Sequence, residues 1–312
     1  MRIAFFGASV TAQSGDSSYI QHLRALIPHH QILKFGFGAC HFDDAGFHKL
    51  EDVLRQAPAR VVLEWNTTGL SAFNMLKLGS VVRRVLEQGA LPSFLILPRR
   101  DSIGVEPRLA EVQVREFCQQ HRVPMLDLTP DFEPDGLLRD MVHTTPAGAA
   151  RYAAQIARWL SASPPRPSDE YLGLPMLSPT FHPVSAQISA EERLTLHVLR
   201  SGEPLEEIVV EVIVGPNMVN LEIEVDGRVH LLSLVDRWCY YERRMFHLLW
   251  KGSGAHYRAD LEISLRAAKE PPDYSMLDQP RVSSDAPPHL KILGLYSAGV
   301  ELQRIEYRDS AA

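Results

Sequence analysis

Residues 2–11 read Arg2-Ile3-Ala4-Phe5-Phe6-Gly7-Ala8-Ser9-Val10-Thr11. The apolar run 3–6 reads as a short strand, and Gly7 allows the chain to leave it in a tight turn. Ser9 then stands just past the strand end, where such a turn projects its hydroxyl. The same pattern recurs downstream. Strands are predicted at 2–6, 30–35, 60–65, 93–97 and 124–128, separated by amphipathic helices at 18–26, 46–55, 71–87, 107–121 and 146–160. Strands alternating with helices predict a parallel sheet covered on both faces. Residues 1–162 are therefore expected to form a three-layer α/β/α domain around a five-stranded, mostly parallel sheet. In such sheets ligands bind beyond the carboxyl ends of the strands. Ser9, Gly38, Asn66 and Arg99 all fall there, and His143 reaches the same rim on the loop before the last helix.

Residues 163–183 are rich in proline and serine, carry no periodicity, and read as a linker. Beyond them, in residues 184–312, short β-type segments are predicted at 194–199, 208–214, 220–225, 229–234, 258–265, 290–296 and 301–307. Turn signals such as Asp226-Gly227 and Ala298-Gly299 separate several of them, which predicts a C-terminal antiparallel β-sandwich. Residues 271–288 read as a long loop.

The chain has 312 residues, 45% of them hydrophobic, enough to build two cores. Its 32 basic and 38 acidic residues give a net charge of −6, with no long block of like charge, so nucleic acid and acidic membranes are not expected partners. Cys40, Cys118 and Cys239 are scattered and lack zinc-site spacing, so neither a disulfide framework nor a metal is expected. The first apolar run is shorter than the ~7–15 residues of a signal-peptide core, and no stretch approaches the ~20 apolar residues of a membrane span. A cytoplasmic location is the resulting expectation.

A second stretch carries the chemistry: Asp140-Met-Val-His143, then Thr-Thr-Pro-Ala-Gly148 at the mouth of a helix. A turn can aim a carboxylate and an imidazole three apart at one point, which suits a carboxylate orienting a base. A serine hydroxyl is a poor nucleophile until such a base takes its proton. Ser9, Asp140 and His143 supply the set in chain order. Attack on an ester also needs donors aimed at the developing oxyanion. Asn66 and the turn Phe35-Gly-Phe-Gly-Ala39 are the candidates.

In these blocks the chain resembles the SGNH hydrolases, also called GDSL esterases and lipases. Gly7-Ala8-Ser9-Val10-Thr11 is similar to the first block, with alanine where aspartate is usual. Asp140-x-x-His143, with Gly148 five residues on, matches the last block at each defining position. Glu64-Trp65-Asn66-Thr67 stands where the family shows glycine, any residue, asparagine and aspartate. The resemblance implies a flavodoxin-like SGNH fold, Ser9 as nucleophile, and an oxyanion site from the Ser9 N–H, Asn66 and Gly38, with Ala39 in nearly the same register. No cofactor is implied.

The expected activity is a serine O-acyl esterase that removes a short acyl group, such as acetyl, from a carbohydrate or small metabolite. An O-acyltransferase using a glycan hydroxyl, and a non-catalytic binding or scaffold protein, are the alternatives. The partner is thus a small-molecule or glycan acyl ester, and the C-terminal domain is a candidate for pairing subunits in a homo-oligomer. Arg99-Arg100 could grip an anionic substrate group, or Arg99 could simply pair with Asp101. Adjacent Cys40 and His41 point apart and are not read as a catalytic pair. Trp238, Tyr240, Tyr241 and Phe246 are expected in the sandwich core rather than as a sugar-stacking platform.

Overall fold

The structure, a computed structural model, describes residues 1–130, 132–162, 173–252, 260–280 and 289–309. It divides into two compact units, Met1–Leu177 and Ser178–Ala312. In the first unit the strands are β1 (Arg2–Gly7), β2 (Gln31–Gly36), β3 (Arg60–Glu64), β4 (Leu91–Ile96) and β5 (Met125–Asp127). All neighbours pair in parallel, in the order β2-β1-β3-β4-β5. The helices are α1 (Ser9–Ala12), α2 (Tyr19–Leu26), α3 (Leu50–Leu54), α4 (Met75–Glu87), α5 (Leu109–His121) and α6 (Pro146–Ser161).

The uninterrupted apolar runs form the central strands because both of their faces are covered. Ile3, Phe5, Val62 and Leu95 share one core with Tyr19, Ile20 and Leu23 of α2 and Tyr152, Ala153 and Ile156 of α6. Alternate residues point the other way. Phe6 meets Trp65 edge-on at 5.1 Å, and Phe94 meets Phe117 of α5 at 6.3 Å. Each large side chain buried this way contributes about 1.5–3 kcal/mol. The chain runs outward from β1 to β2 and then crosses back to β3. The crevice beyond β1 and β3 is therefore the switch point at which open α/β sheets bind ligands.

The structure differs from the sequence expectation in three helices. Residues 42–46 coil as a wide turn that buries Phe42, and a turn at Lys49 interrupts the predicted 46–55 helix, separating helical residues 47 and 48 from α3. Asn74 accepts hydrogen bonds from Leu76 N (3.1 Å) and Lys77 N (3.4 Å), so α4 begins at Met75 rather than at 71. Helix α1 is too short to show a period in the sequence.

Of the stretch 163–183, residues 163–172 lie outside the described residues. Arg83 donates to the Leu174 carbonyl (2.7 Å) and Leu177 N to the Ser80 hydroxyl (3.1 Å), which fastens this segment to α4.

The second unit contains β6 (Thr180–Ile188), β7 (Glu192–Arg200), β8 (Glu207–Val214), β9 (Leu221–Val225), β10 (Arg228–Leu232), β11 (Arg243–Lys251), β12 (Asp260–Ala267), β13 (Leu290–Ala298) and β14 (Val300–Asp309). They form antiparallel sheets in the orders β10-β9-β12-β7-β14 and β11-β8-β13-β6. Leu196, Val198 and Ile263 from one sheet share a core with Val210, Val212 and Ile292 from the other. Asp226 and Gly227, at φ +48° and +76°, make the two-residue turn between β9 and β10 that their sequence signalled.

Strands β6 and β11 were not predicted. Strand β6 carries Pro183 and begins inside the expected linker; β11 is half charged or exposed, as edge strands are. The expected burial of the aromatic cluster holds only for Phe246. Trp238 and Tyr240 are half-buried and Tyr241 is exposed, because they lie in the turn before β11. Arg237 covers the Trp238 ring at 4.4 Å. Among the described residues, no helix is long and apolar enough to cross a membrane.

Helix α6 starts with Thr145 as cap, accepting Gly148 N at 3.2 Å, and with Pro146 in the first helical position. A Cβ on Gly148 would stand 2.0 Å from the Leu137 carbonyl oxygen. Gly148→Ala is expected to lower stability by about 2 kcal/mol or more through this clash. In an open helix the same change would stabilise by about 1 kcal/mol, so the sign of the shift in urea midpoint tests the contact.

Candidate active site

Ser9 opens α1 directly after β1. The Ala8 N–H donates to the Glu64 carbonyl (2.9 Å) and the Phe37 N–H to the Gly7 carbonyl (2.9 Å), so the serine turn is tied to the ends of β3 and β2. Neither neighbour tolerates a side chain at the crossing points. A Cβ on Gly7 would lie 2.3 Å from the Glu64 carbonyl oxygen, and one on Gly36 would lie 2.3 Å from Ala12 Cα. The turn 37–39 therefore sits beside the serine turn. Within it Ala39 holds φ +56°, a left-handed conformation costly for alanine. A Cβ on Gly38 would meet nothing within 4 Å.

Asp140 and His143 occupy the tip of a small hairpin. Leu138 bridges Thr144, Arg139 N donates to the His143 carbonyl (2.9 Å), and Thr145 N donates to the Leu137 carbonyl (3.0 Å). Asp140 Oδ1 accepts the N–H groups of Val142 (3.0 Å) and His143 (2.8 Å), and its Oδ2 lies 2.9 Å from His143 Nδ1. Partial burial opposes ionisation of Asp140, but those two N–H groups and the imidazole outweigh it and hold the carboxyl below its ordinary value. An ionised Asp140 accepts the Nδ1 proton and leaves Nε2 as the basic nitrogen. The Ser9 hydroxyl and His143 Nε2 form no hydrogen bond to each other among the described residues.

Gln13 and Thr144 were not singled out in the sequence, yet they join these two pieces. The Gln13 side-chain amide accepts Thr144 N–H (3.3 Å) and donates to the Thr144 carbonyl (3.3 Å). The Thr144 hydroxyl lies 3.1 Å from the same amide oxygen and 2.7 Å from the Ser17 carbonyl. Gln13 is one turn beyond Ser9, and Thr144 follows His143.

Asn66, past β3, pairs with a peptide group in the same manner. Its Nδ2 donates to the Leu97 carbonyl (2.8 Å), and its Oδ1 accepts Leu97 N–H (3.1 Å). That orientation leaves one amide proton. Arg99 donates to the Thr67 carbonyl (2.6 Å) and pairs with Asp101 (2.7 Å), so its guanidinium braces loops and is not presented to an anion. Arg100 N donates to the Met141 carbonyl (2.8 Å), bracing the hairpin. No group of three or more His, Cys, Asp or Glu side chains suited to a metal occurs among the described residues.

Behind the serine turn lies a buried polar chain, also missed in the sequence. Glu64 is fully buried and accepts the hydroxyls of Thr11 (2.8 Å) and Thr67 (2.7 Å), while the Tyr19 hydroxyl lies 2.7 Å from Thr11 Oγ1. Burial pushes Glu64 up to about 7, against the Thr67 and Thr11 hydrogen bonds that pull it down. A carboxyl raised on folding contributes stability that is complete below its unfolded pKa and is lost as pH rises through the folded value. Glu64→Gln should abolish that loss. Its urea midpoint is expected to gain on wild type between about pH 5 and about pH 8, and parallel profiles would show that Glu64 does not titrate there.

No family model matches the chain, and no curated protein matches it. Among solved structures, it resembles a two-domain esterase active on acetylated mannans, with TM-score 0.67 and 14% identity over 97% of this chain and 92% of that one. The same type of esterase co-crystallised with mannopentaose gives TM-score 0.68 and 15% identity over 96% of this chain and 90% of that one. At this identity the likeness is one of fold alone: a parallel α/β unit followed in the chain by an antiparallel β unit.

Proposed function

We propose that the chain is a serine O-acyl esterase that removes acetyl or another short acyl group from a carbohydrate. One observation carries the reading: the hairpin that pairs His143 with Asp140 is fastened through Thr144 to the helix that begins at Ser9. The resemblance in fold to an esterase described as active on acetylated mannans supports the substrate class.

In this reading His143 Nε2 takes the Ser9 proton as Oγ attacks the acyl carbonyl. Asp140 holds the ring and stabilises the imidazolium. The oxyanion receives the N–H of Ser9, which has no acceptor within its own helix at that first position, and the spare amide proton of Asn66. The N–H of Gly38 or Ala39 is the third donor. His143 then returns the proton to the departing sugar hydroxyl. Water repeats the sequence on the acyl-serine, so the acyl group leaves as its acid and Ser9 regains its proton.

The test is hydrolysis of nitrophenyl esters of increasing chain length. Wild type should turn over the acetyl ester best, and Ser9→Ala or His143→Ala should lose on the order of 10³-fold or more in kcat. Asp140→Asn should lose about 10²- to 10⁴-fold. A wild type that neither hydrolyses these esters nor takes a fluorophosphonate label on Ser9 contradicts the proposal.

A further inference from the structure

We infer that Gln13 is a positioning residue for the proposed Ser9–His143 pair, acting through the peptide group of Thr144. The inference rests on the esterase reading above and adds to it the device that sets the distance between nucleophile and base.

Ser9 and His143 reach the site on separate parts of the chain, and neither holds the other directly. Proton transfer needs their reacting atoms within about 3 Å, so something else must fix the gap. The Gln13 side chain supplies one acceptor and one donor to one acceptor and one donor of the Thr144 main chain, at 3.3 Å each. Paired bonds of this kind restrain rotation as well as separation. Gln13 is itself immobilised. Its N–H donates to the Ser9 carbonyl (3.1 Å), and Lys34 Nζ donates to its carbonyl oxygen (3.0 Å) and to that of Ala12 (3.3 Å). Both ends of the contact are shielded, with Gln13 9% and Thr144 0% exposed. Water therefore competes poorly for these bonds. From Ser9 to His143 the route is one helical turn, one amide pair and one peptide unit.

Gln13→Met keeps the length of the side chain and removes both bonds. Gln13→Asn keeps the amide and is too short to reach. Each is expected to lose about tenfold or more in kcat on the nitrophenyl acetyl ester, with KM changed less than about threefold, because misplacement of reacting groups by about 1 Å costs up to 10²-fold. Labelling of Ser9 by a fluorophosphonate should slow in step with kcat. Thr144→Ser preserves the peptide pair and the hydroxyl and should stay near wild type. A purely structural role would instead lower the unfolding temperature and leave kcat per folded molecule unchanged. If Ser9→Ala is inactive while both Gln13 variants keep kcat within about twofold of wild type, the positioning role is overturned and the esterase reading stands. A wild type without Ser9-dependent turnover overturns both.

Discussion

A peptide group that leaves a strand end and is shut away from water must still find its hydrogen-bond partners. The rim of this α/β unit meets that demand with side-chain amides. Asn66 pairs with Leu97 beyond β3 and β4, and Gln13 pairs with Thr144 between α1 and the hairpin of Asp140 and His143. Each amide offers one donor and one acceptor to a main-chain N–H and C=O, as a neighbouring strand would. Loops that would otherwise be free to move are joined at fixed separations. Both amides also stand beside groups proposed to act on the substrate, so one bonding pattern braces both sides of the proposed site.

Beneath the rim, the constraint is close approach of backbone. Gly7, Gly36 and Gly148 each stand where a Cβ would fall within 2.3 Å of a neighbouring main-chain atom. These contacts press the serine turn against β3, α1 against β2, and α6 against the hairpin. The buried Glu64 fills the space behind the turn, with Thr11, Thr67 and Tyr19 completing its polar surroundings. A carboxyl there is a costly choice for a core position, and its hydrogen bonds offset only part of that cost. It joins β3 to α1 through a side chain on each.

Much of this was legible in the sequence. The parallel sheet showed in apolar runs that only a doubly covered strand carries, and the start of α6 was placed at Pro146, where the structure has it. The Asp140–His143 pairing is local, three residues apart, so its geometry follows from a turn. Gln13 and Thr144 carry no such signal, since their partnership spans 131 residues and a glutamine after a short helix looks like any polar residue. Strand β6 escaped because Pro183 and the proline- and serine-rich stretch before it read as linker, although Val184, Ala186 and Ile188 do alternate inward; β11 escaped because Arg243, Arg244 and Lys251 at its ends cut short its apolar run. The misjudged aromatics near Trp238 followed from missing β11, whose start at Arg243 leaves residues 236–242 as a turn that buries Cys239 and only partly covers Trp238 and Tyr240.

The proposed chemistry requires that the Ser9 hydroxyl and the His143 ring serve one reacting centre. A crystal structure of the protein after reaction with a dialkyl fluorophosphate tests it most directly. The expected adduct has phosphorus bonded to Ser9 Oγ, His143 Nε2 within about 3 Å of that oxygen, and a phosphoryl oxygen facing Ser9 N–H and Asn66 Nδ2. An adduct on another residue, or one on Ser9 with the His143 ring turned away from it, would contradict the account.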